Sequence, residues 1–204
     1  SVVFCNYREI VDDVVHRLKE EGISCIGYHG GMEQPERELA LIKFRNRSTH
    51  VLVCTDLGSR GLDIEDVNHV VHYQFPDSET AFIHRNGRTA RADKKGNAYI
   101  IYKSSQDLPE YLSLPTNEYT PNPTRENTQP DWTTLYFGAG KKDKLRKLDI
   151  VGFLSQQGKL KAEEIGKIDL LDRMAYAAIR SHKLKPTLNN IHMKRIKGKR
   201  FVIK

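Results

Sequence analysis

Several absences restrict what this chain of 204 residues can be. It holds no run of about 18 apolar residues, the length a helix needs to cross a bilayer, so no membrane partner is expected. No secretory leader stands at the start either. Ser1 already lies inside a strand-like run, which predicts further chain upstream. Cysteine is scarce, with Cys5, Cys25 and Cys54 odd in number and set in apolar stretches. That usage excludes a disulfide framework and reads as buried, reduced thiols of a cytoplasmic protein rather than metal ligands. The eight histidines lack zinc spacing, and His69 and His72 sit in a strand-like run as ordinary sheet residues. No Gly-x-x-x-x-Gly-Lys-Ser/Thr loop is present to cradle phosphates. Gly138-Ala139-Gly140-Lys141-Lys142 mimics part of one, but no glycine lies five residues before Gly140 and no hydroxyl follows Lys141.

Charge and proline divide the chain. Residues 1–103 carry 14 basic and 15 acidic side chains, residues 104–130 carry 1 and 4, and residues 131–204 carry 18 and 7. The whole excess of positive charge, a net +11, therefore sits in the last third, as in a module that binds a polyanion. Five of the eight prolines, at 109, 115, 121, 123 and 130, fall in the middle stretch together with Ser, Thr and Asn. A short helix is expected around 106–112, and the rest reads as a semi-rigid linker. The expected division is 1–112, a linker at 113–130, and 131–204.

In the first part, strand-like apolar runs at 2–5, 24–28, 50–54, 67–73 and 97–102 alternate with helical patterns. Ile10, Val11, Val14, Val15 and Leu18 form one stripe that ends at Gly22, and a second helix from about Gln34 to Arg45 accepts Pro35 in its first turn. Strands alternating with helices predict an α/β domain with a parallel sheet covered on both faces. Ligands of such sheets bind at the carboxyl ends of the strands, which here carry Asn6-Tyr7-Arg8, His29-Gly30-Gly31-Met32 and Thr55-Asp56. The stretch His84-Arg85-Asn86-Gly87-Arg88-Thr89-Ala90-Arg91 adds three arginines at intervals of three. As a helix it would line their guanidinium groups along one ridge, unfavourable unless an anion or a distant carboxylate docks there. Arginine's planar fork suits phosphate. A solvated basic face with structural ion pairs is the alternative.

These residues carry a resemblance. Residues 1–103 resemble the second RecA-like domain of the DEAD-box RNA helicases, through Val2-Val3-Phe4-Cys5-Asn6, His29-Gly30 with Gln34 and Arg37, Thr55-Asp56 with Arg60-Gly61-Leu62-Asp63-Ile64, and His84-Arg85-x-Gly87-Arg88-Thr89-x-Arg91. The resemblance implies that Arg88 and Arg91 are arginine fingers on the γ-phosphate of ATP. That nucleotide, with Mg2+, would be held mainly by a first RecA-like domain of the same parent chain. It implies Asp63, beside Gly61, at the nucleotide ribose, and Asn6, Arg8, Gly30, Arg37 and Thr55 along the RNA backbone. His84 and Arg85 would couple the nucleotide site to the domain interface. Tyr7 stands where the family commonly has threonine, and Ala90 where it commonly has glycine. Structural alternatives stay open: Asp63 capping a turn, Arg37 pairing with Glu33, and Thr55 capping a helix.

From Asp131 the order becomes strand (133–137), helix (147–156), strand (165–171), strand (173–179), a helix within 181–190 despite Pro186, and strand (200–203). That βαββαβ pattern predicts a small domain like an RNA-recognition motif. Tyr136 and Tyr176 are candidates to stack on bases or, equally, to pack. Two basic clusters hold Lys141, Lys142, Lys144, Arg146 and Lys147, and then Lys194, Arg195, Lys197, Lys199 and Arg200. For any one lysine the alternative is solvated surface. This part resembles the C-terminal RNA-binding domain of the bacterial DbpA helicases, through Thr133-Thr134-Leu135, Gly140-Lys141-Lys142-Asp143-Lys144, Asp149-Ile150-Val151, Ile165-Gly166-Lys167-Ile168 and Lys197-Gly198-Lys199. The resemblance implies a monomeric helicase directed to a hairpin of large-subunit ribosomal RNA in ribosome assembly. The rival is a non-catalytic RNA-binding or chaperone protein on a RecA-like scaffold.

Overall fold

The computed structural model describes residues 1–56, 67–89, 96–112, 119–120 and 129–204. The chain divides into two compact units, one of Ser1–Ala40 and His50–Gln129, the other of Leu41–Thr49 and Pro130–Lys204. Among the described residues no helix is long and apolar enough to cross a membrane.

In the first unit β1 (Val2–Cys5), β2 (Cys25–Tyr28), β3 (Val51–Thr55), β4 (His69–His72) and β5 (Asn97–Ile100) form one sheet in the order β2-β3-β1-β4-β5. Every pairing is parallel. All four residues of β1 and the last four of β3 are buried, because a central parallel strand has both faces covered. Helix α1 (Arg8–Glu20) turns Val11 and Val14 onto Val3, Cys5 and Val53, and burying each such side chain stabilises by about 1.5–3 kcal/mol. Helix α2 (Gln34–Arg45) begins one residue before Pro35, the position in a first turn where a missing N–H costs nothing.

Helix α3 (Glu79–Asn86) starts where the Ser78 hydroxyl accepts from the Ala81 N–H at 3.2 Å. It stops five residues before Arg91, which corrects the expected arginine ridge. Gly87 and Arg88 leave the helix in a turn, and Thr89 pairs with Val67 as a parallel bridge. The Val67 N–H donates to the Arg88 carbonyl at 3.2 Å, and the Thr89 hydroxyl to the Val67 carbonyl at 2.5 Å. A short helix was also expected at 106–112, and the chain there makes only turns. Its side chains serve the loop after β4 instead: the Tyr111 hydroxyl donates to the Pro76 carbonyl, and its ring lies 6.2 Å from that of Phe82.

In the second unit β6 (Trp132–Phe137), α4 (Lys147–Gln156), β7 (Ile165–Leu170), β8 (Ala175–Arg180) and α5 (Leu184–Ile191) follow one another. The antiparallel sheet runs β6-β8-β7. One face carries Leu135, Phe137, Ala175, Ala177 and Ile179 into a core with Ile150, Leu154 and Ile191 from the helices. The expected last strand is shorter than predicted. Only residues 202–204 pair with β6, through Gly138 N–H to the Val202 carbonyl at 2.8 Å, Tyr136 N–H to the Lys204 carbonyl at 2.7 Å, and a Phe137–Ile203 bridge. Lys197 (φ 50) and Gly198 (φ +79) take left-handed backbone for the turn just before it, with Ile196 and Lys199 bonded across.

Candidate functional site

The parallel sheet delivers four strand ends to one edge, and Arg85 ties three of them together. Its side chain is 1% exposed, lying 5.3 Å from the Phe4 ring. Nε donates to Asp56 Oδ1 at 2.8 Å and Nη2 to Asp56 Oδ2 at 2.5 Å, a paired contact at the end of β3. Nη2 also reaches Asn6 Oδ1 after β1 at 2.8 Å, and Nη1 the Gln74 carbonyl after β4 at 3.1 Å. The carboxylate that the sequence pattern required from elsewhere is thus Asp56. Asn6, expected on RNA, donates from Nδ2 to the Phe75 carbonyl and to Asp77 Oδ1, both at 2.9 Å. Its side chain thereby joins β1 to the loop after β4.

Behind this network His72 is wholly buried, and its Nε2 meets Asn86 Oδ1 at 2.9 Å while Nδ1 has no partner. Burial pushes its pKa down, with the Asn86 bond opposing and Arg85 adding to the effect. The imidazole is therefore neutral, with its proton on Nε2. Burial likewise raises the Cys5 thiol to about 12 and drives Cys54 upward. Cys5, Cys25 and Cys54 are all free thiols, inert as nucleophiles at neutral pH.

The end of β2 is held differently. His29 is 7% exposed, its Nδ1 accepts from the Gly31 N–H at 3.2 Å, and its Nε2 meets Asp12 Oδ1 at 3.2 Å. The ring thus fixes Gly31 while Gly30 stays open to solvent. Arg8 is exposed and pairs with Glu9 at 2.7 Å. Arg37 does not use Glu33. It donates from Nη2 to Gln34 at 2.6 Å, and its Nε is buried without a partner. Thr55 closes β3 and is buried. His84 is exposed on α3, next in sequence to buried Arg85. Arg88 is half-buried, with its backbone pinned through the Val67 and Arg85 contacts. Gly61, Asp63 and Arg91 lie outside the described residues. Among the described residues no three metal-binding side chains converge.

In the second unit the two basic clusters, about fifty residues apart in sequence, meet. Lys197 Nζ donates to the Lys144 carbonyl at 3.0 Å and to Asp149 Oδ2 at 3.4 Å. Asp149 also accepts from the Arg146 N–H at 2.8 Å, and that bond first, then Lys197, lowers its pKa. The 141–144 loop is anchored by Lys141 N–H to the Leu171 carbonyl and Lys142 N–H to the Asp172 carbonyl. Gly140 permits that approach, since a Cβ there would stand 2.4 Å from the Leu171 oxygen. The side chains of Lys141, Lys142, Lys144 and Lys199 are left exposed. Tyr136 and Tyr176 occupy the sheet face away from the core, their rings 5.6 Å apart. Tyr176 is only 7% exposed, its hydroxyl on Met174 Sδ at 3.3 Å, and so packs rather than presenting a face. Tyr136 is half-buried, with Lys204 Nζ 5.5 Å from its ring centre.

Residues 1–93 match the helicase conserved C-terminal domain, and residues 134–204 match the DbpA RNA binding domain. The chain belongs to the DEAD-box RNA helicases. It is 33% identical to the ATP-dependent RNA helicase DbpA of Escherichia coli over 97% of this chain and 45% of that protein. To the protein of the same name from Bacillus subtilis it is 29% identical over 99% of this chain and 48% of that protein. The chain thus spans about half the length of these relatives. The solved structure of the E. coli DEAD-box protein SrmB bound to RraA shares 41% identity over 48% of this chain and 58% of that one, with a TM-score of 0.46.

Gln74 and Asp77, which complete the site of this DEAD-box chain from the loop after β4, lie outside the sequence motifs. The His29–Asp12 contact had a signal: Asp12 sits on the polar side of the α1 stripe. Trp132, whose ring lies 4.3 Å from the Arg180 guanidinium, had none beyond being the single tryptophan.

Proposed function

We propose that this chain is the C-terminal half of an ATP-dependent RNA helicase, working as a cytoplasmic monomer in large-subunit ribosome assembly. The observation that carries the catalytic part is Arg88. Buried Arg85 locks the end of α3 onto Asp56 and Asn6, so the turn that follows sets Arg88 in a fixed place beside the strand ends. ATP, which would be held with Mg2+ mainly by a first RecA-like domain of the parent chain, would supply the phosphoryl group that passes to water. Arg88, with Arg91, contributes positive charge to the phosphate oxygens as negative charge builds there. Asp63, beside Gly61, meets the ribose. Arg8, the open Gly30 backbone, Thr55 and the unmatched buried Nε of Arg37 face the RNA phosphates. Asn6 and Arg85 act through position rather than contact. His84 reports nucleotide binding to the partner domain.

The joined basic surface of the second unit supports the targeting half of the reading. Lys141, Lys142, Lys144 and Lys199 take the phosphates of a structured ribosomal hairpin, with Lys197 holding the two clusters together and Tyr136 as the candidate stacking platform. Arg88→Ala in the intact parent enzyme is expected to lower RNA-stimulated ATP turnover by roughly 10³, the size of an arginine finger's contribution, with RNA affinity of the 204-residue chain unchanged. The chain alone is expected to hydrolyse no ATP above background. Turnover that survives the substitution would favour an RNA-binding scaffold instead.

A further inference from the structure

The last residues of the second unit form an open sheet edge. Val202 bonds to Gly138, just past β6, and Lys204 to Tyr136 of β6, at 2.7–3.2 Å. Neighbouring residues of an antiparallel strand aim their backbone groups at opposite sides, so Phe201 and Ile203 present theirs away from β6. Among the described residues nothing takes those N–H and carbonyl groups. Beside this edge lies a cavity of about 600 Å³, reaching from the end of α5 to the last strand. Leu188, Ile191, Met193, Phe201 and Ile203 supply its apolar lining. Its cations are Lys194, Arg200 and Lys204, and no acidic residue lines it. Met193 is 59% exposed and Val202 65%.

We propose that this edge is a docking site for an acidic, extended peptide that adds as a further strand. Backbone donors and acceptors alternating along an open edge are matched by another extended polypeptide. The apolar lining asks for aliphatic side chains on alternate residues, and the three cations ask for acidic ones between them. A second copy is disfavoured, since it would bring the same cations and a C-terminal third with net +11. RNA satisfies the cations, but its 2′-hydroxyls do not repeat at the spacing of a strand edge and it brings no aliphatic groups for the lining. The inference stands independently of the helicase reading.

The test titrates the full chain into a dye-labelled six-residue peptide of alternating Glu and Ile, at near-physiological salt, by fluorescence anisotropy, with the amide shifts of Phe201 and Ile203 followed by NMR. Saturable binding that moves both amides is expected. Arg200→Glu with Lys204→Glu, two exposed positions, should weaken it at least tenfold. A peptide with proline at its edge-facing positions should not bind. Absence of saturable binding, indifference to the charge reversal, or equal binding of the proline peptide would overturn the proposal. So would an oligouridine of equal charge that alone shifts the two amides, which would assign the edge to RNA.

Discussion

Arg85 is the residue on which the strand-end edge turns, and its value lies in the cost of leaving it alone. A guanidinium 1% exposed is tolerable only because Asp56, Asn6 and the Gln74 carbonyl surround it. Asp56→Ala strands that charge and should destabilise the first unit by about 3 kcal/mol, the low end for a broken buried pair because Asp56 keeps 26% exposure. Urea denaturation measures it, and a loss below about 1 kcal/mol would show that water replaces Asp56. His72 gives the same neighbourhood a pH dependence. Its native pKa lies below the unfolded value of about 6.5, so the unfolded chain binds the proton first. The stability that neutral His72 contributes is present above pH ~6.5 and is lost as pH falls below it. His72→Gln should flatten that part of the stability–pH curve. The sequence showed three arginines without a local partner, but a contact 29 residues away in sequence depends on strand order, which no local pattern contains.

At the scale of elements, α1 begins without a side-chain cap. Tyr7 holds the extended N-cap backbone (φ −121, ψ 146) yet offers nothing to the open N–H groups, and it is 62% exposed. Tyr7→Thr places a hydroxyl where one is accepted and removes little buried surface. Stabilisation of about 0.5–1 kcal/mol is expected, seen as a higher melting temperature in calorimetry. An unchanged melting temperature would mean that water already serves those groups. The five strands, α1, α2 and α4 were legible because apolar periodicity follows burial directly. The extent of α3 was not. Helical spacing of the arginines suggested a ridge, whereas the pairing of Thr89 with Val67 draws the chain out of the helix, a tertiary contact overriding a local pattern. The expected last strand at 200–203 is shifted for a related reason, since its pairing with β6 begins only at Val202 and runs to Lys204, a register that alternation alone does not contain.

Across the whole molecule the charge is placed in one unit, and the fold decides how much of it acts together. Composition showed a net +11 after residue 130, but only the structure joins residues 141–147 to 194–200. Lys197 makes that join: its Nζ is bonded to Lys144 and Asp149, while Lys142 and Lys199 stand exposed. Two lysines of equal charge should therefore behave differently. Lys142→Ala should weaken every RNA alike and lower the slope of log affinity against log salt by about 0.7–0.9, the loss of one phosphate contact. Lys197→Ala should lower the slope less, because Asp149 already neutralises its ammonium group. It should nevertheless cost more affinity for a structured hairpin than for a single strand of equal length, because the turn it anchors loses its fixed distance from the 141–144 loop. Anisotropy titrations of the chain against both RNAs over a series of KCl concentrations separate the two effects. Equal losses on both RNAs for Lys197→Ala, with a full-sized change in slope, would show that Lys197 is one more phosphate contact and that the two clusters bind independently.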